Sequence, residues 1–369
     1  MSEPQLEIQL IAVIVAVACA LPGVFLVLRR MALMSDAISH AILLGIVLAF
    51  FLVHDLASPL LILAAALTGV LTVTLVELLH NTRKLKQDAA IGIVFPLLFS
   101  LGVILISRFA GNVHLDVDSV LLGELAFAPF DRLSVAGLDI GPKAAWVMGG
   151  ILFLNVLFIA LFYKELKIAT FDAGLAAALG FSPLWIHYAL MSLVSLTAVG
   201  AFDAVGSILV VALMIAPPAA AYLLTDRLTA MLGISALFGV LSALFGYWIA
   251  HALDASIAGS MATISGALFG LTLMAAPKRG LIALARRRAE QKLLFAERML
   301  AVHLSHHEGV PGEESECELD HLHRHMRWEE PFAQRVVRRA LRHRLVESEG
   351  TRLKLTGAGR TEAEKAVVA

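Results

Sequence analysis

The sequence predicts an all-α polytopic membrane protein with a small α+β tail, and three observations predict it. Of 369 residues, 59 % are hydrophobic and 16 % charged, with a mean hydropathy of +0.82; soluble domains carry about 25 % charged residues. The charge is segregated, with 11 Lys+Arg and 16 Asp+Glu in residues 1–277 but 18 and 14 in residues 278–369. Apolar runs of the ~20 residues that cross a bilayer as helix recur nine times. They cover roughly 6–28, 33–53, 58–79, 89–107, 144–162, 184–201, 204–224, 228–250 and 257–276. This composition excludes a disordered chain, a secreted disulfide scaffold and an ordinary soluble enzyme. Cys19 and Cys317, one in an apolar run and one in the polar tail, define no disulfide framework. The first run is too long for a cleaved signal core and no small-residue cleavage site precedes Arg29, so it reads as a retained span.

Lys and Arg collect in alternate connections: Arg29-Arg30, Arg83-Lys84-Lys86, Lys164 and Lys167, Arg227, and Lys278-Arg279. The other connections carry His54-Asp55, then Asp116, Asp118, Glu124, Asp131 and Asp139, then Asp203 and Asp254. The basic set belongs on the cytoplasmic side, which places the N-terminus outside and the tail inside a multi-pass inner (plasma) membrane protein. The acidic outer segment 108–143, broken by Gly111, Gly123, Pro129, Gly141 and Pro142, has loop character, and its length fits a docking surface or a plain linker.

Ionisable side chains at membrane depth are functional candidates because burying them in lipid is costly. Asp36 and His40 in Ser35-Asp36-Ala37-Ile38-Ser39-His40 are spaced i, i+4 and share a helix face. Counted from Arg30, His40 lies ~15 Å deep, near the midplane. A carboxylate with an imidazole suits Mn²⁺, Fe²⁺ or Zn²⁺; the same pair also serves simply to pack helices. Asp203, in Val199-Gly200-Ala201-Phe202-Asp203-Ala204-Val205-Gly206, sits where glycines permit a helix break, the device by which transporters expose ligands. His251 and Asp254 are interfacial, and Glu77 and His80 are expected to snorkel to the inner boundary. The chain has no GxxxxGK[ST] loop, HExxH or GxSxG, so an ATP-driven process needs an ATPase on another chain.

Four stretches resemble one family. They are Arg29-Arg30-Met31-Ala32-Leu33-Met34-Ser35-Asp36-Ala37-Ile38-Ser39-His40-Ala41, Asp88-Ala89-Ala90-Ile91-Gly92-Ile93-Val94-Phe95, the segment from Val199 through Gly206-Ser207-Ile208-Leu209 to Ala221, and Ser256-Ile257-Ala258-Gly259-Ser260-Met261-Ala262. In this order, over roughly residues 20–280, the chain is similar to the integral-membrane permeases of ATP-binding-cassette importers for manganese, zinc or iron. Relatives often have glycine where this chain has Ser35. The resemblance implies the vitamin-B12-importer-like fold, a second permease (identical or paralogous), two cytoplasmic ATP-binding subunits and an extracytoplasmic metal-binding protein. It also implies divalent metal as substrate rather than a resident cofactor, with Asp36, His40 and Asp203 as ligands. For ATPase coupling it implies a helix between spans, for which Thr170, Phe171, Asp172, Gly174, Leu175, Ala178 and Gly180 are the candidates.

The sequence divides into a transmembrane part (1–285), an amphipathic helix with a His/Glu-rich linker (286–318) and a small domain (319–369). Arg286-Arg287-Arg288 with Leu293, Leu294 and Met299 reads as an amphipathic helix, followed by a linker at Gly309, Pro311 and Gly312. Helical periodicity over Leu319–Trp328 and Pro331–Val346, strand alternation in Arg352-Leu353-Lys354-Leu355, and Leu355-Thr356-Gly357-Ala358-Gly359 before a last helix resemble a winged helix of the iron-dependent-repressor type. Arg335, Arg338, Arg339, Arg342 and Arg344 would favour phosphates, but Glu329, Glu330, Glu347 and Glu349 blunt that field, so nucleic acid is not the expected partner. His303, His306, His307, His321, His323 and His325 surround Glu313–Glu318 and Cys317. Such tracts bind metal, and His306, His307, His321 and His323 are its candidate ligands. Two other function classes fit the same features, a membrane-anchored metal-responsive regulator and an ion-coupled secondary metal transporter.

Overall fold

The computed structural model describes all residues except 1–2, 55–57, 110–124, 136–137, 309–316, 318–321, 323–324, 351 and 369. The chain forms two compact units, Met1–Gly280 and Leu281–Ala369. Asp55, Asp116, Asp118, Glu124, His321, His323 and most of the His/Glu-rich linker lie outside the described residues.

In the first unit, nine described helices are long and apolar enough to cross a membrane. They are α1 (Glu3–Leu28), α2 (Leu33–Val53), α3 (Pro59–Asn81), α4 (Gln87–Phe109), α5 (Lys143–Leu161), α8 (Pro183–Val205), α9 (Ser207–Leu224), α10 (Leu228–Leu253) and α11 (Ile257–Ala275). Two short helices, α6 (Tyr163–Phe171) and α7 (Ala173–Ala178), lie between α5 and α8. Helices prevail because a backbone in lipid must satisfy its own hydrogen bonds. Polar residues mark the ends: Ser182 accepts from the Trp185 amide ahead of Pro183, and Ser256 accepts from the Gly259 amide. Before α5, a short hairpin pairs β1 (Arg132–Val135) with β2 (Leu138–Pro142), and Arg132 Nε lies 2.5 Å from Asp139 Oδ2. That salt link lowers the Asp139 carboxyl, after the larger effect of the Gly141 amide.

Helix α1 is the hub, packing against α5, α8, α9 and α10, with Ile11, Val15, Cys19, Phe25 and Leu26 fully buried. Lipid removes the hydrophobic contrast between helix and surroundings, so close packing and internal hydrogen bonds hold such bundles. Both occur here. A Cβ on Gly23 would stand 2.2 Å from the Met214 carbonyl oxygen, so only glycine allows α1 and α9 to approach this closely. Asn155, fully buried on α5, donates to the Ala18 carbonyl of α1 at 2.9 Å and to Thr197 Oγ1 of α8 at 3.0 Å. Ser195 ties α8 to the Ala66 carbonyl of α3 at 2.9 Å.

The weakest division in the sequence, between 201 and 204, is resolved differently from the expectation. Helix continues through Asp203 to Val205, and the break is Gly206 alone, at φ +79°. The positive φ explains the shift: Gly206 can adopt it without a Cβ clash, whereas Asp203 keeps helical geometry.

The second unit comprises α12 (Leu281–His307), α13 (Glu330–Arg342), the antiparallel hairpin β3 (Val346–Glu349)–β4 (Arg352–Leu355) and α14 (Gly357–Val368). Its core joins Leu300, Leu304, Cys317, Leu322, Val336, Val346 and Leu353. Glu297, buried on α12, places Oε1 3.2 Å from both Arg339 Nε and His343 Nδ1, tying α12 to α13. The Arg360 guanidinium of α14 pairs with Glu308 and holds that carboxyl below its usual range.

The Gly23 contact yields a test. Gly23→Ala forces α1 from α9 and lowers stability by about 1–3 kcal/mol, the range for overpacked cores, read as a lower melting temperature in detergent. Gly149→Ala, whose Cβ would meet nothing within 4 Å, leaves the melting temperature unchanged or raised.

Candidate functional site

On α2, the i, i+4 spacing brings His40 Nε2 to 3.4 Å from Asp36 Oδ1. One edge of the helix is sunk in the core through Met34, Ala37, Ile38 and Ala41, which leaves the two polar residues on the opposite edge. Their side chains are 29 % (His40) and 42 % (Asp36) exposed in the single chain. Phe95 and Phe99 of α4 flank the imidazole at centroid distances of 5.7 and 5.9 Å. Neighbouring Ser35 and Ser39 direct their hydroxyls to the backbone carbonyls of Ala32 and Ser35, so both hydroxyl protons are used within the helix. A metal with ligand bonds of about 2.0–2.2 Å spans two donors about 3 Å apart, and the Asp36–His40 separation matches that bite.

Residues 30–32 form the turn into α2, with Arg30 at φ +60°. His40 stands seven residues from the start of α2 at Leu33, about 10 Å along the helix. Asp203 is exposed, 20 residues along α8, which is about 30 Å. It is not gathered with Asp36 and His40: among the described residues, the one group of three metal-capable side chains lies in the second unit. His251 stacks on Tyr247 at 6.3 Å, and Asp254 is the left-handed C-cap of α10; both line an open cleft.

The sequence reading missed a polar cluster at the other end of these helices. Arg29 Nη1 lies 3.1 Å from His187 Nδ1 and Arg29 Nε donates to Thr170 Oγ1 at 3.2 Å. Guanidinium has no acceptor, so His187 Nδ1 must accept and its ring proton sits on Nε2. That nitrogen is 2.6 Å from Glu77 Oε1, and Tyr188 also hydrogen-bonds the Glu77 carboxylate. Glu77 is partly buried, and His187 and Tyr188 supply its polar partners. His80 keeps an exposed position, its Nδ1 3.3 Å from the Leu85 carbonyl. Burial pushes the Arg29 guanidinium down to about 10, opposed by Glu77, so it stays charged at neutral pH. These partners are more than 100 residues apart in sequence, and only the inward polarity of His187 and Tyr188 within an apolar run hinted at them.

The expected coupling helix is divided. Thr170 and Phe171 end α6, and Asp172 leaves helical geometry to accept from the Leu175 amide at 2.9 Å. Gly174, Leu175 and Ala178 then form α7, and Gly180 follows at φ +86°. The division follows from Asp172 itself, whose short carboxylate caps the next helix better than it continues the last. Phe171, Leu175 and Leu179 are 62, 50 and 56 % exposed.

In the tail tract, His303, His307 and His325 converge, whereas His306 Nδ1 turns back to the Val302 carbonyl at 3.0 Å. His306 thus falls outside the cluster, because i, i+4 spacing from His303 selects His307 and not its neighbour.

Residues 5–276 match the family model described as ABC 3 transport family. The chain is 50 % identical over 354 residues to the zinc transport system membrane protein TroD of Treponema pallidum, covering 96 % of both proteins. It is 52 % identical over 270 residues to the manganese transport system membrane protein MntD of Bacillus subtilis, covering 73 % of this chain and 91 % of that protein. Among solved structures, PsaBC from Streptococcus pneumoniae in complex with Fab is similar at 29 % identity and a TM-score of 0.64, over 77 % of this chain and 96 % of that one. The chain belongs to the ABC 3 transport family, as a multi-pass membrane protein of that fold.

Proposed function

We propose that the chain is the permease subunit of an ATP-driven importer of a divalent transition metal, Mn²⁺, Zn²⁺ or Fe²⁺, and that Asp36 and His40 are pathway ligands. The observation that carries this reading is their 3.4 Å juxtaposition on a half-exposed face of a membrane-spanning helix. One carboxylate and one imidazole hold a metal only partly, and a second permease offering its own ligands across a shared pathway would complete the set. That face would then line the pathway rather than meet lipid. Asp203, about 20 Å further along a helix running the same way, fits an outer station that collects the ion first. Binding at each station has to be moderate, since a site that holds too tightly does not release.

The basic connections support a reading with the N-terminus outside and the tail in the cytoplasm. An extracytoplasmic metal-binding protein would deliver the ion, and two cytoplasmic ATP-binding subunits would drive the cycle. Exposed Phe171, Leu175 and Leu179 on α6–α7 offer those subunits an apolar docking surface. Thr170, at its root, connects through Arg29 to His187 of α8 and on to Glu77 of α3. A displacement of α6–α7 would therefore pull directly on two spans that pack beside α2. The helix, hairpin and helix order of α13, β3–β4 and α14 supports reading the tail as a winged-helix-like module.

Two measurements in proteoliposomes containing the ATPase test this. Asp36→Ala and His40→Ala each reduce metal uptake by more than about 100-fold, beyond the loss produced by removing a ligand's supporting partner, while the ATPase still co-purifies. Wild-type uptake in both would refute the site. Arg29→Met reduces uptake by about tenfold, the worth of one hydrogen bond to a charged group, with ATP hydrolysis retained. An equal fall in hydrolysis would count against a coupling role for Arg29.

A further inference from the structure

We propose that His303, His307 and His325 form a three-imidazole site for a divalent metal ion of the Zn²⁺ type in the second unit. This goes beyond the importer reading and does not depend on it. His303 and His307 stand one turn apart on the last turns of α12, with ring centroids 4.6 Å apart. The His325 ring comes in at 5.2 Å from His303 and 6.1 Å from His307. One nitrogen from each ring lies within 4.8 Å of the others. Three nitrogens on a tetrahedral ion with bonds of about 2.0–2.1 Å sit about 3.3 Å apart, so side-chain rotations of order 1 Å close the set without moving the backbone.

Buried leucines anchor the elements that carry these rings. Leu300 and Leu304, on the same helix, are buried in the core of the unit. The short turn bearing His325 is anchored by buried Leu322, whose carbonyl accepts from the Met326 amide at 3.0 Å. The site also caps the C-terminal end of a 27-residue helix, where the partial negative charge of the helix favours a cation. Three mutually close imidazoles repel one another when protonated; as neutral ligands around one cation they attract it.

The ligand set states a preference. Three imidazoles suit Zn²⁺, Co²⁺, Ni²⁺ or Cu²⁺, whereas Mn²⁺ prefers oxygen donors. The mixed Asp36–His40 pair has no such bias. The second unit would therefore bind Zn²⁺ in preference to Mn²⁺, whichever ion crosses the membrane.

The test uses the purified full chain in detergent with Co²⁺ alone as the optical probe, in an Asp36→Ala/His40→Ala background so that the pathway pair contributes nothing. The expected result is tetrahedral Co²⁺ absorption that stoichiometric Zn²⁺ displaces and equimolar Mn²⁺ does not. His325→Ala and His303→Ala/His307→Ala each weaken Co²⁺ binding by at least about tenfold; His306→Ala does not. His325 is exposed and lies on a different element from the other two, so its variant decides the matter if the double variant misfolds. Absent tetrahedral absorption, or absorption retained in the His325→Ala variant, overturns the proposal. Neither result bears on the importer reading, which is judged by uptake alone.

Discussion

A polar group carried into a lipid-facing bundle has to be met by another polar group of the same chain, and that requirement organises the first unit. Arg29, His187, Glu77 and Thr170 come from four separate stretches and converge because each would otherwise stand unsatisfied. Asn155 does the same between α5, α1 and α8. In water such contacts are worth little net, because solvent competes for both partners. Within a bundle they fix which helices meet and in what register, while glycines such as Gly23 set how closely they meet. Asp36 and His40 differ: they have each other and a flanking pair of phenylalanines, yet remain partly exposed in the single chain.

The spans were legible because their signal is local. Twenty apolar residues in a row need a helix whatever surrounds them, and nine such runs became nine described helices. The Asp36–His40 pair was legible for the same reason, since an i, i+4 spacing is a short-range fact. The turn at Arg30 was not, because it depends on a backbone angle, φ +60°, that composition does not announce. Nor was the Arg29–His187–Glu77 chain, whose members are joined only by tertiary packing. In the tail, a run of histidines was visible in the sequence, but not which of the described ones converge. Helix phase excluded His306, and the return of the chain through Leu322 brought in His325.

The two metal-capable sites differ in what they ask of an ion. A carboxylate paired with an imidazole leaves most coordination positions to water or to a second chain, which suits passage. Three imidazoles leave one, which suits retention. On the two proposals made above, one polypeptide would carry a permissive set of donors in its spans and a more selective set in its second unit.

Gly206 carries a consequence for the ends of α8 and α9 that it joins. It is the sole residue between α8 and α9, and successive Cα atoms across a trans peptide are about 3.8 Å apart. Such a joint has no slack. The two helix ends it couples can swivel but cannot separate, and Asp203, three residues below the joint, travels wherever the pair is carried.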